Sequence, residues 1–331
     1  MRGVVKRLLL LVAAALALAV NAQTYPGSKP ITFVVPFPAG GPTDRVARDL
    51  AQAMHKALPG SIFVIENVNG AGGTMGATKV AKSNPDGHTL LLWHIGMAAA
   101  PGLYRKLQYK PLEDFEYLGM VNDVPMTLIG RPQLPARNYR ELESYIKANG
   151  SKLYIAHAGL GSASHICGLM WQSAVKAKVA MATIPFGGTA PAMTALVNGQ
   201  VDVLCDQSTN TTTQIESGRV KAFAVTTAMR LATHPLLKNY PTLQEMGLKG
   251  FNLTIWHGLY APKGTPAAVL KQLNDALKRA LTDPVFIKKQ EDLGAVVVTD
   301  NRMEPAGHKA FVAAEMAKLK PLIEAAGTFA D

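Results

Sequence analysis

Residues 31–50 read ITFVVPFPAGGPTDRVARDL, a stretch that passes from an apolar run through a glycine-rich loop into a helical pattern. Ile31–Val35 is short, apolar and rich in β-branched residues, which favours a buried strand. Every fourth position from Val46 to Leu58 is apolar, which is the spacing of one helix face. The stretch therefore predicts a strand, a glycine loop and a helix in succession.

The same order of elements recurs along the chain. Further strands are predicted at 62–66, 89–93, 153–156, 182–184, 201–205 and 220–226, and further helices at 74–82, 164–177, 190–197, 267–281 and 305–325. Alternating βαβ units indicate parallel sheets with helices on both faces. The 331 residues suffice for two domains. We expect a two-lobed α/β protein in which each lobe is a mostly parallel sheet flanked by helices, with lobe I formed by 23–125 and 251–331 and lobe II by 126–250.

The first 22 residues have the pattern of a secretory signal. Arg2, Lys6 and Arg7 precede the apolar run 8–20, and Val20–Ala22 forms a small-residue cleavage site. The apolar run is short for a membrane-spanning helix, although an uncleaved anchor is the alternative interpretation. We expect cleavage after residue 22 and a mature chain in the periplasm.

Composition narrows the class of partner. The chain carries a formal net charge of +11, but its lysines and arginines are scattered and form no basic stripe interleaved with aromatic residues. This pattern indicates a solvated basic surface rather than a nucleic-acid interface. A modest positive field would also attract anionic solutes.

The chain has two cysteines, Cys167 and Cys205, and both lie in the predicted mature part. An oxidising compartment permits a disulfide between them. A pair of buried thiols that act as small hydrophobic side chains is the alternative. The sequence leaves both interpretations open.

Motifs of catalysis are missing. Residues 70–76 resemble a dinucleotide fingerprint, but Met75 stands where the third glycine is required, and no phosphate-binding P-loop motif occurs. Neither Ser162 nor Ser164 lies in a Gly-x-Ser-x-Gly motif, and the eight histidines lack paired zinc spacing. We therefore expect no enzyme activity, no cofactor and no metal.

Two glycine loops are candidates for binding an anion. Gly40–Asp44 and Gly161–His165 each lead into a predicted helix, where the first-turn amides have no partner and the helix dipole is positive. Such a helix start binds carboxylate or phosphate groups. The alternative is that Thr43, Asp44 and Ser164 only cap their helices and that His165 is an ordinary helix residue. Ligands of α/β sheets bind at the carboxyl ends of strands, so two such loops in two lobes would hold an anion from both sides.

Two Trp-His pairs are candidates for further ligand contacts. Trp93 and His94 end a predicted strand, and Trp256 and His257 lie in a run that we expect to cross between the lobes. An aromatic ring at either position would stack on a planar ligand. The alternative is that each tryptophan belongs to the core.

Seven sequence blocks together resemble one family. In chain order they cover residues 35–48, 66–73 with 85–91, 161–165, 184–192, 198–202, 241–248 and 261–266. The first of them, VPFPAGGPTDRVAR, is similar to the opening of the Bug family, the TctC-like receptors of tripartite tricarboxylate transporters. The resemblance spans essentially the whole mature chain.

This resemblance implies a type II periplasmic binding fold whose two lobes close on a small carboxylate without chemistry. It further implies delivery of that ligand to membrane subunits of a tripartite tricarboxylate transporter by a monomeric receptor. The first glycine loop would hold one carboxylate, and the loop around Ser162 and the strand end near Asp206 would meet the other end. The residues expected to bind the ligand are Pro38, Ala39, Gly40, Gly41, Thr43, Asp44, His94, Gly161, Ser162, Ala163, Ser164, His165, Thr189, Asp206 and Gln207.

The chain departs from the family pattern where the far end of the ligand should lie. The family commonly has Tyr-Lys at the position of Phe186 and Gly187, and the segment 205–210 is unusually polar. Asp206 disfavours a highly charged anion such as citrate, because like charges in a cleft repel each other. This favours a ligand with a hydroxyl, an amine or a ring at that end. A sensor component that passes the same closed form to a membrane signalling protein is the alternative function.

Overall fold

The computed structural model describes residues 25–177, 179–327 and 329–330, so the predicted signal segment and its cleavage site lie outside the described residues. The strands are β1 (Ile31–Val35), β2 (Phe63–Asn67), β3 (Thr89–Trp93), β4 (Phe115–Gly130), β5 (Tyr154–His157), β6 (Ala182–Pro185), β7 (Val203–Gln207), β8 (Lys221–Val225), β9 (Thr254–Pro262) and β10 (Val296–Val297). The α-helices are α1 (Pro42–Ala57), α2 (Thr74–Ala81), α3 (Gly96–Leu103), α4 (Tyr139–Asn149), α5 (Ala163–Val175), α6 (Thr189–Val197), α7 (Ser208–Glu216), α8 (Ala267–Leu281), α9 (Pro284–Asp292) and α10 (Pro305–Ala326).

The predicted two-lobed α/β fold is confirmed, and its sheets are mixed. The parallel pairs are β1 with β2 and β3 in one lobe, and β5 with β6 and β7 in the other. Strands β4 and β9 run antiparallel to each other and to their other neighbours. Mostly parallel sheets were expected because the sequence pattern over β4 predicts no strand. The antiparallel part arises because the chain must cross between the lobes and return.

Strand β4 passes through both lobes. Up to Pro125 its residues pair with β9, and from Met126 onward they pair with β7 and β8. The two predicted lobe boundaries remain a proposal, which this change of partners at 125/126 supports. Among the described residues, no helix combines the length and the apolar character that a bilayer crossing needs.

Thr226 ties the crossing segments together. Its backbone N–H donates to the Met126 carbonyl at 3.0 Å, and its hydroxyl donates to the Leu253 carbonyl at 2.7 Å. Leu253 N–H in turn donates to the Thr226 carbonyl at 2.9 Å. The outgoing and returning chains are therefore held side by side at the point where they leave one lobe for the other.

The strand–loop–helix unit quoted from the sequence forms as predicted. Val46, Leu50 and Met54 are fully buried and pack in one cluster with Ile31 and Phe33 of β1. Burying each such side chain contributes about 1.5–3 kcal/mol of transfer free energy. The same layout follows β5, β6 and β7, which lead into α5, α6 and α7. The helix starts of lobe II therefore lie at the carboxyl ends of its parallel strands.

Cys167 and Cys205 form a disulfide, the first of the two interpretations left open by the sequence. Their Cα atoms lie 5.9 Å apart, and both residues are fully buried. Cys167 stands in the second turn of α5 and Cys205 in the middle of β7. The bond therefore fastens the helix that carries one predicted ligand loop to the strand that carries Asp206.

Replacing both cysteines by alanine is expected to lower the free energy of unfolding by about 4 kcal/mol, because the bond closes a loop with a sequence separation of 38 residues. Urea unfolding of the oxidised mature protein and of the C167A/C205A variant measures the difference. A loss of less than about 1 kcal/mol would contradict a stabilising role. The wild type under reducing conditions keeps both sulfur atoms and loses only the bond, so its comparison with C167A/C205A separates loss of the bond from loss of sulfur packing.

Candidate ligand-binding site between the lobes

The rims of the two lobes are in contact. The Tyr104 hydroxyl of lobe I donates to the Leu160 carbonyl of lobe II at 2.8 Å. A Cβ atom on Gly72 would overlap that same carbonyl oxygen, and a Cβ on Gly188 would lie 2.7 Å from the Pro38 ring. Glycine is therefore required on both sides of the rim, where backbone from one lobe approaches the other. The structure is closed around the space between the lobes.

Helix α1 starts without a side-chain cap. Its N-cap is Gly41 and its first residue is Pro42, which has no N–H to leave unpaired. The predicted capping alternative for Thr43 and Asp44 is thus not what the structure has. The helix start keeps its positive end and its amides of the first turn free of side-chain acceptors.

Asp44 holds the loop in shape from the inside. Its carboxylate accepts from the Gly40 N–H at 2.9 Å, from Arg48 Nε at 2.9 Å and from Asn67 Nδ2 at 3.0 Å. Burial raises the pKa of Asp44, but these hydrogen bonds outweigh burial and bring the pKa below its ordinary value. Asp44 is therefore ionised, and its oxygens point at the loop. The loop tip itself, Ala39 and Gly40, is exposed.

Helix α6 starts in the same way on the other side of the cleft. Its N-cap is Gly188, again with no side-chain acceptor, and Thr189 is its first residue. The Thr189 hydroxyl lies 3.8 Å from the position that a Cβ on Gly41 would occupy. Two uncapped helix starts, one from each lobe, are therefore neighbours across the rim. Together they concentrate N–H donors and positive dipole ends, the environment that an anion prefers.

Helix α5 differs, because the residues of its loop satisfy one another. Ser162 accepts from the His165 N–H at 3.2 Å, and the Ser164 hydroxyl accepts from the Ala158 N–H at 2.9 Å. Gly161 N–H donates to His165 Nδ1 at 3.2 Å. Burial lowers the pKa of His165 to about 4, so its ring is neutral at neutral pH. The structure thus brings residues 161–165 together, with Ser162 as the N-cap in place of Ser164.

The end of β7 carries a run of buried polar groups. Asp206 Oδ1, Gln207 Oε1, Ser208 Oγ and Thr209 Oγ1 are all buried and have no hydrogen-bond partner in the described part of the protein. An unpaired buried polar group costs about 1–3 kcal/mol, and native proteins contain few of them. Four in succession at a strand end mark a place built to contact something other than the protein.

A chain of buried hydrogen bonds leads from the first glycine loop into lobe I. Thr43 Oγ1 lies 3.3 Å from His257 Nε2, and His257 Nδ1 lies 2.8 Å from Asn122 Oδ1. Asn122 Nδ2 donates to Gln290 Oε1 at 2.8 Å, and Gln290 Nε2 donates to Asp49 at 3.3 Å.

The Asp49 carboxylate determines which atom donates and which accepts in each of these hydrogen bonds. Because a carboxylate only accepts, Gln290 turns its oxygen to Asn122, and Asn122 turns its own oxygen to His257. His257 therefore carries its proton on Nδ1 and accepts from the Thr43 hydroxyl at Nε2. Burial lowers the pKa of His257 to about 3, in keeping with a neutral ring. The Thr43 hydroxyl proton is thus engaged inside the protein, and the loop offers its backbone amides outward.

His94 belongs to the same buried cluster. Its Nδ1 accepts from the Gly96 N–H at 3.1 Å, and its ring stacks on Phe37 with centroids 4.9 Å apart and lies 5.9 Å from the His257 ring. Burial, helped by His257, lowers the pKa of His94 well below its ordinary value. Trp93 and Trp256 are buried in the core, which is the second of the two interpretations considered for them.

Several residues of the site were not identified from the sequence. Ser208 and Thr209 were noted only within the polar segment 205–210 at the expected far end of the ligand and were not named as ligand contacts. Gly72 and Gly188 were seen only as parts of glycine loops, since a contact across the lobes leaves no local pattern. His257 was noted only as part of the pair Trp256 and His257, a candidate for stacking on a planar ligand.

Comparison with known proteins identifies relatives over most of the chain. Residues 46–328 match the model of the tripartite tricarboxylate transporter family receptor. A UPF0065 protein of Agrobacterium vitis is 45% identical over 305 residues, covering 92% of this chain and 86% of the relative. The structure of the periplasmic binding protein BugD superposes with a TM-score of 0.86 at 48% identity, covering 91% of this chain and 98% of BugD. MatC of Rhodopseudomonas palustris with bound malate gives a TM-score of 0.83 at 40% identity, covering 89% and 98%.

Thr209→Val is expected to raise the free energy of unfolding of the unliganded protein by about 1 kcal/mol, because it removes a buried hydroxyl that has no partner. Thr242→Val is the matched control. Thr242 is equally buried, but its hydroxyl accepts from the Glu245 N–H at 3.0 Å, so this variant should lose about 1 kcal/mol. Urea unfolding measures both, and a loss in T209V equal to that in T242V would contradict the assignment.

Proposed function

Since this chain belongs to the receptor family of tripartite tricarboxylate transporters, we propose that it binds a small carboxylate between its lobes and delivers it to a membrane transporter of that type. The main support for this proposal is the pair of uncapped helix starts, those of α1 and α6, which meet across the closed rim. They supply N–H donors from both lobes to one anion.

The ligand class follows from the chemistry of the rim and from its closure. The helix starts offer backbone amides, and the ionised Asp44 beside the first loop is already paired with Arg48, which suits a group of one negative charge such as a carboxylate. The hydrogen bond from Tyr104 to Leu160 joins the two lobes at the rim, which supports a ligand small enough to be enclosed between them. MatC, 40% identical, holds malate, which supports a short dicarboxylate as the cargo.

Closure is the signal that the transporter would recognise. Residues of both lobes, such as Pro38 and Gly188, are in contact in this structure, and an opening of the cleft would separate them. A ligand that contacts both lobes stabilises this form because it binds the closed state better than the open one. The site histidines are neutral and hydrogen-bonded within the protein, so the proposal assigns them no catalytic role.

We further propose that the receptor is exported to the periplasm through residues 1–22 and that the mature chain begins at Gln23. The basic start, the apolar run and the small-residue site of the sequence support this. Amino-terminal sequencing of protein released from the periplasm should read Gln23 first. A start at Met1 in a membrane-bound fraction would contradict it.

Gly188→Ala is expected to weaken ligand binding about tenfold, because its Cβ would lie 2.7 Å from the Pro38 ring and resist closure. An overpacked contact costs about 1–3 kcal/mol, and about 1.4 kcal/mol corresponds to a factor of ten in affinity. Gly188 has an extended backbone with φ of 164°, so alanine itself causes no backbone strain there. Titration calorimetry with the best ligand from a panel of dicarboxylates measures the loss.

Gly187→Ala is the control for this variant. A Cβ at residue 187 meets nothing within 4 Å, so binding should equal that of the wild type. Equal affinities of the two variants would argue against closure at this rim. Absence of binding to every member of a panel of small mono-, di- and tricarboxylates by the wild type, with mass spectrometry showing no retained ligand, would overturn the proposed function.

A further inference from the structure

Tyr104 reaches from lobe I to the backbone that leads into helix α5. Its hydroxyl donates to the Leu160 carbonyl at 2.8 Å. A Cβ atom on Gly161 would lie 3.1 Å from Leu103 Cδ1 and 3.8 Å from the Tyr104 ring, so the next residue of the loop packs against the same segment. Burial raises the pKa of Tyr104 to about 12, so the hydroxyl keeps its proton at neutral pH and can donate.

Tyr104 stands where its own helix ends. Helix α3 spans only eight residues, contains Pro101 and stops at Leu103. The carbonyl groups in the last turn of a helix have no partner within the helix, and helix ends open more readily than helix centres. A hydroxyl held at such an end needs support from elsewhere in the fold.

The end of the chain supplies this support. The Ala330 N–H donates to the Leu103 carbonyl at 2.8 Å, and the Arg105 N–H donates to the Ala330 carbonyl at 2.9 Å. These two bonds flank Tyr104, which pairs with Ala330 as an isolated parallel β-bridge. The Arg105 guanidinium lies over the Phe329 ring, 5.4 Å from its centroid. The backbone on both sides of Tyr104 is therefore fastened to residues 329–330.

Helix α10 brings these last residues close to α3. A Cβ atom on Gly102 would lie 3.2 Å from Ile323 Cδ1, so the two helices pack closely. Helix α10 ends at Gly327, whose φ of 64° is left-handed, and three residues later Ala330 pairs with Tyr104. Phe329 keeps 42% of its surface exposed, so the end of the chain is attached more by backbone bonds than by burial of this ring.

We propose that Tyr104 is a positioning residue that stabilises the closed cleft, and that Phe329 and Ala330 hold it in place. None of the three is among the predicted ligand contacts, so they would act on affinity through the closed form alone. The proposal rests on the proposed function, because it takes closure around a ligand as the event that Tyr104 stabilises.

The physical reason is a difference between the open and the closed cleft. In an open cleft the Tyr104 hydroxyl and the Leu160 carbonyl would bond to water, so their mutual bond contributes the small net stabilisation of a neutral hydrogen bond to the closed form. A ligand that requires closure binds more weakly when the closed form is less populated. Affinity should therefore fall when this bond or its support is removed.

Tyr104→Phe removes the donor and keeps the ring. It should weaken binding about fivefold, the loss expected from one net neutral hydrogen bond. Titration calorimetry of the mature protein, with the tightest ligand from a panel of small mono-, di- and tricarboxylates, measures it. Tyr25→Phe is the matched control, because the half-buried Tyr25 donates its hydroxyl to the Gly87 carbonyl at 2.7 Å within lobe I. This variant loses the same kind of bond and should keep the wild-type affinity.

Ala330→Pro tests the support, because it removes the N–H that donates to Leu103 and keeps the length of the chain. It should weaken binding up to the extent of Y104F, whereas Ala330→Ser keeps the N–H and should bind like the wild type. The double variant Y104F/A330P should bind no more weakly than Y104F, since both changes act on one bond. Hydrogen exchange of the unliganded protein should be faster at 103–105 in A330P than in the wild type.

The outcomes separate the two proposals. Wild-type affinity in Y104F, or equal losses in Y104F and Y25F, would overturn the role of Tyr104 and leave the carboxylate receptor standing. Unchanged exchange at 103–105 in A330P, or additive losses in the double variant, would overturn the role of the end of the chain. Absence of wild-type binding to every member of the panel would overturn the proposed function and the role of Tyr104 with it.

Discussion

The continuity of β4 through both lobes is the constraint on which the rest of the structure depends. A strand hydrogen-bonded in two sheets joins the two sheets, and Thr226 bonds the outgoing and returning chains at the point of crossing. Because both lobes grow from this shared strand, helix starts from each can be brought to one rim. The glycines of that rim, Gly72 and Gly188, are needed only because the lobes can come so close.

In the proposed site, negative charge is met by dipoles rather than by cations. His94, His165 and His257 are buried and neutral, and Arg48 beside the first loop is paired with Asp44. Helix amides are already oriented in the folded protein, so an anion exchanges water for fixed donors without a large reorganisation. The chain from Thr43 to Asp49 adds to this order by fixing which atoms of the first loop donate inward.

Local periodicity made part of this structure predictable. Strand 89–93 and helix 267–281 have the predicted bounds, since both carry the full pattern of their element. Strand β4 was not predicted because it is buried on both faces and contains Gly119 and Pro125. Its sequence therefore shows neither alternation of apolar and polar residues nor an unbroken β-rich run. Helix α7, with the sequence STNTTTQIE, lacks an apolar face and reads as a loop.

The roles of site residues were harder to predict than their positions. Asp44 and Ser162 do lie at helix starts, but their partners decide that one braces a loop and the other caps a helix. The bond between Thr43 and His257 joins residues 214 positions apart, and no sequence pattern reports such a pair. The orphaned oxygens at 206–209 become visible only when burial and partners are both known.

The disulfide between α5 and β7 has a consequence for the use of this receptor as a ligand probe. Solute-binding domains are fused to fluorescent reporters inside cells, where the cytosol keeps thiols reduced. There the strand that carries Asp206 would lose its covalent fastening to α5, and its position would depend on sheet hydrogen bonds and core packing. A cytosolic reporter built on this chain would respond to the thiol balance of its host as well as to cargo, whereas one displayed on the cell surface would respond to cargo.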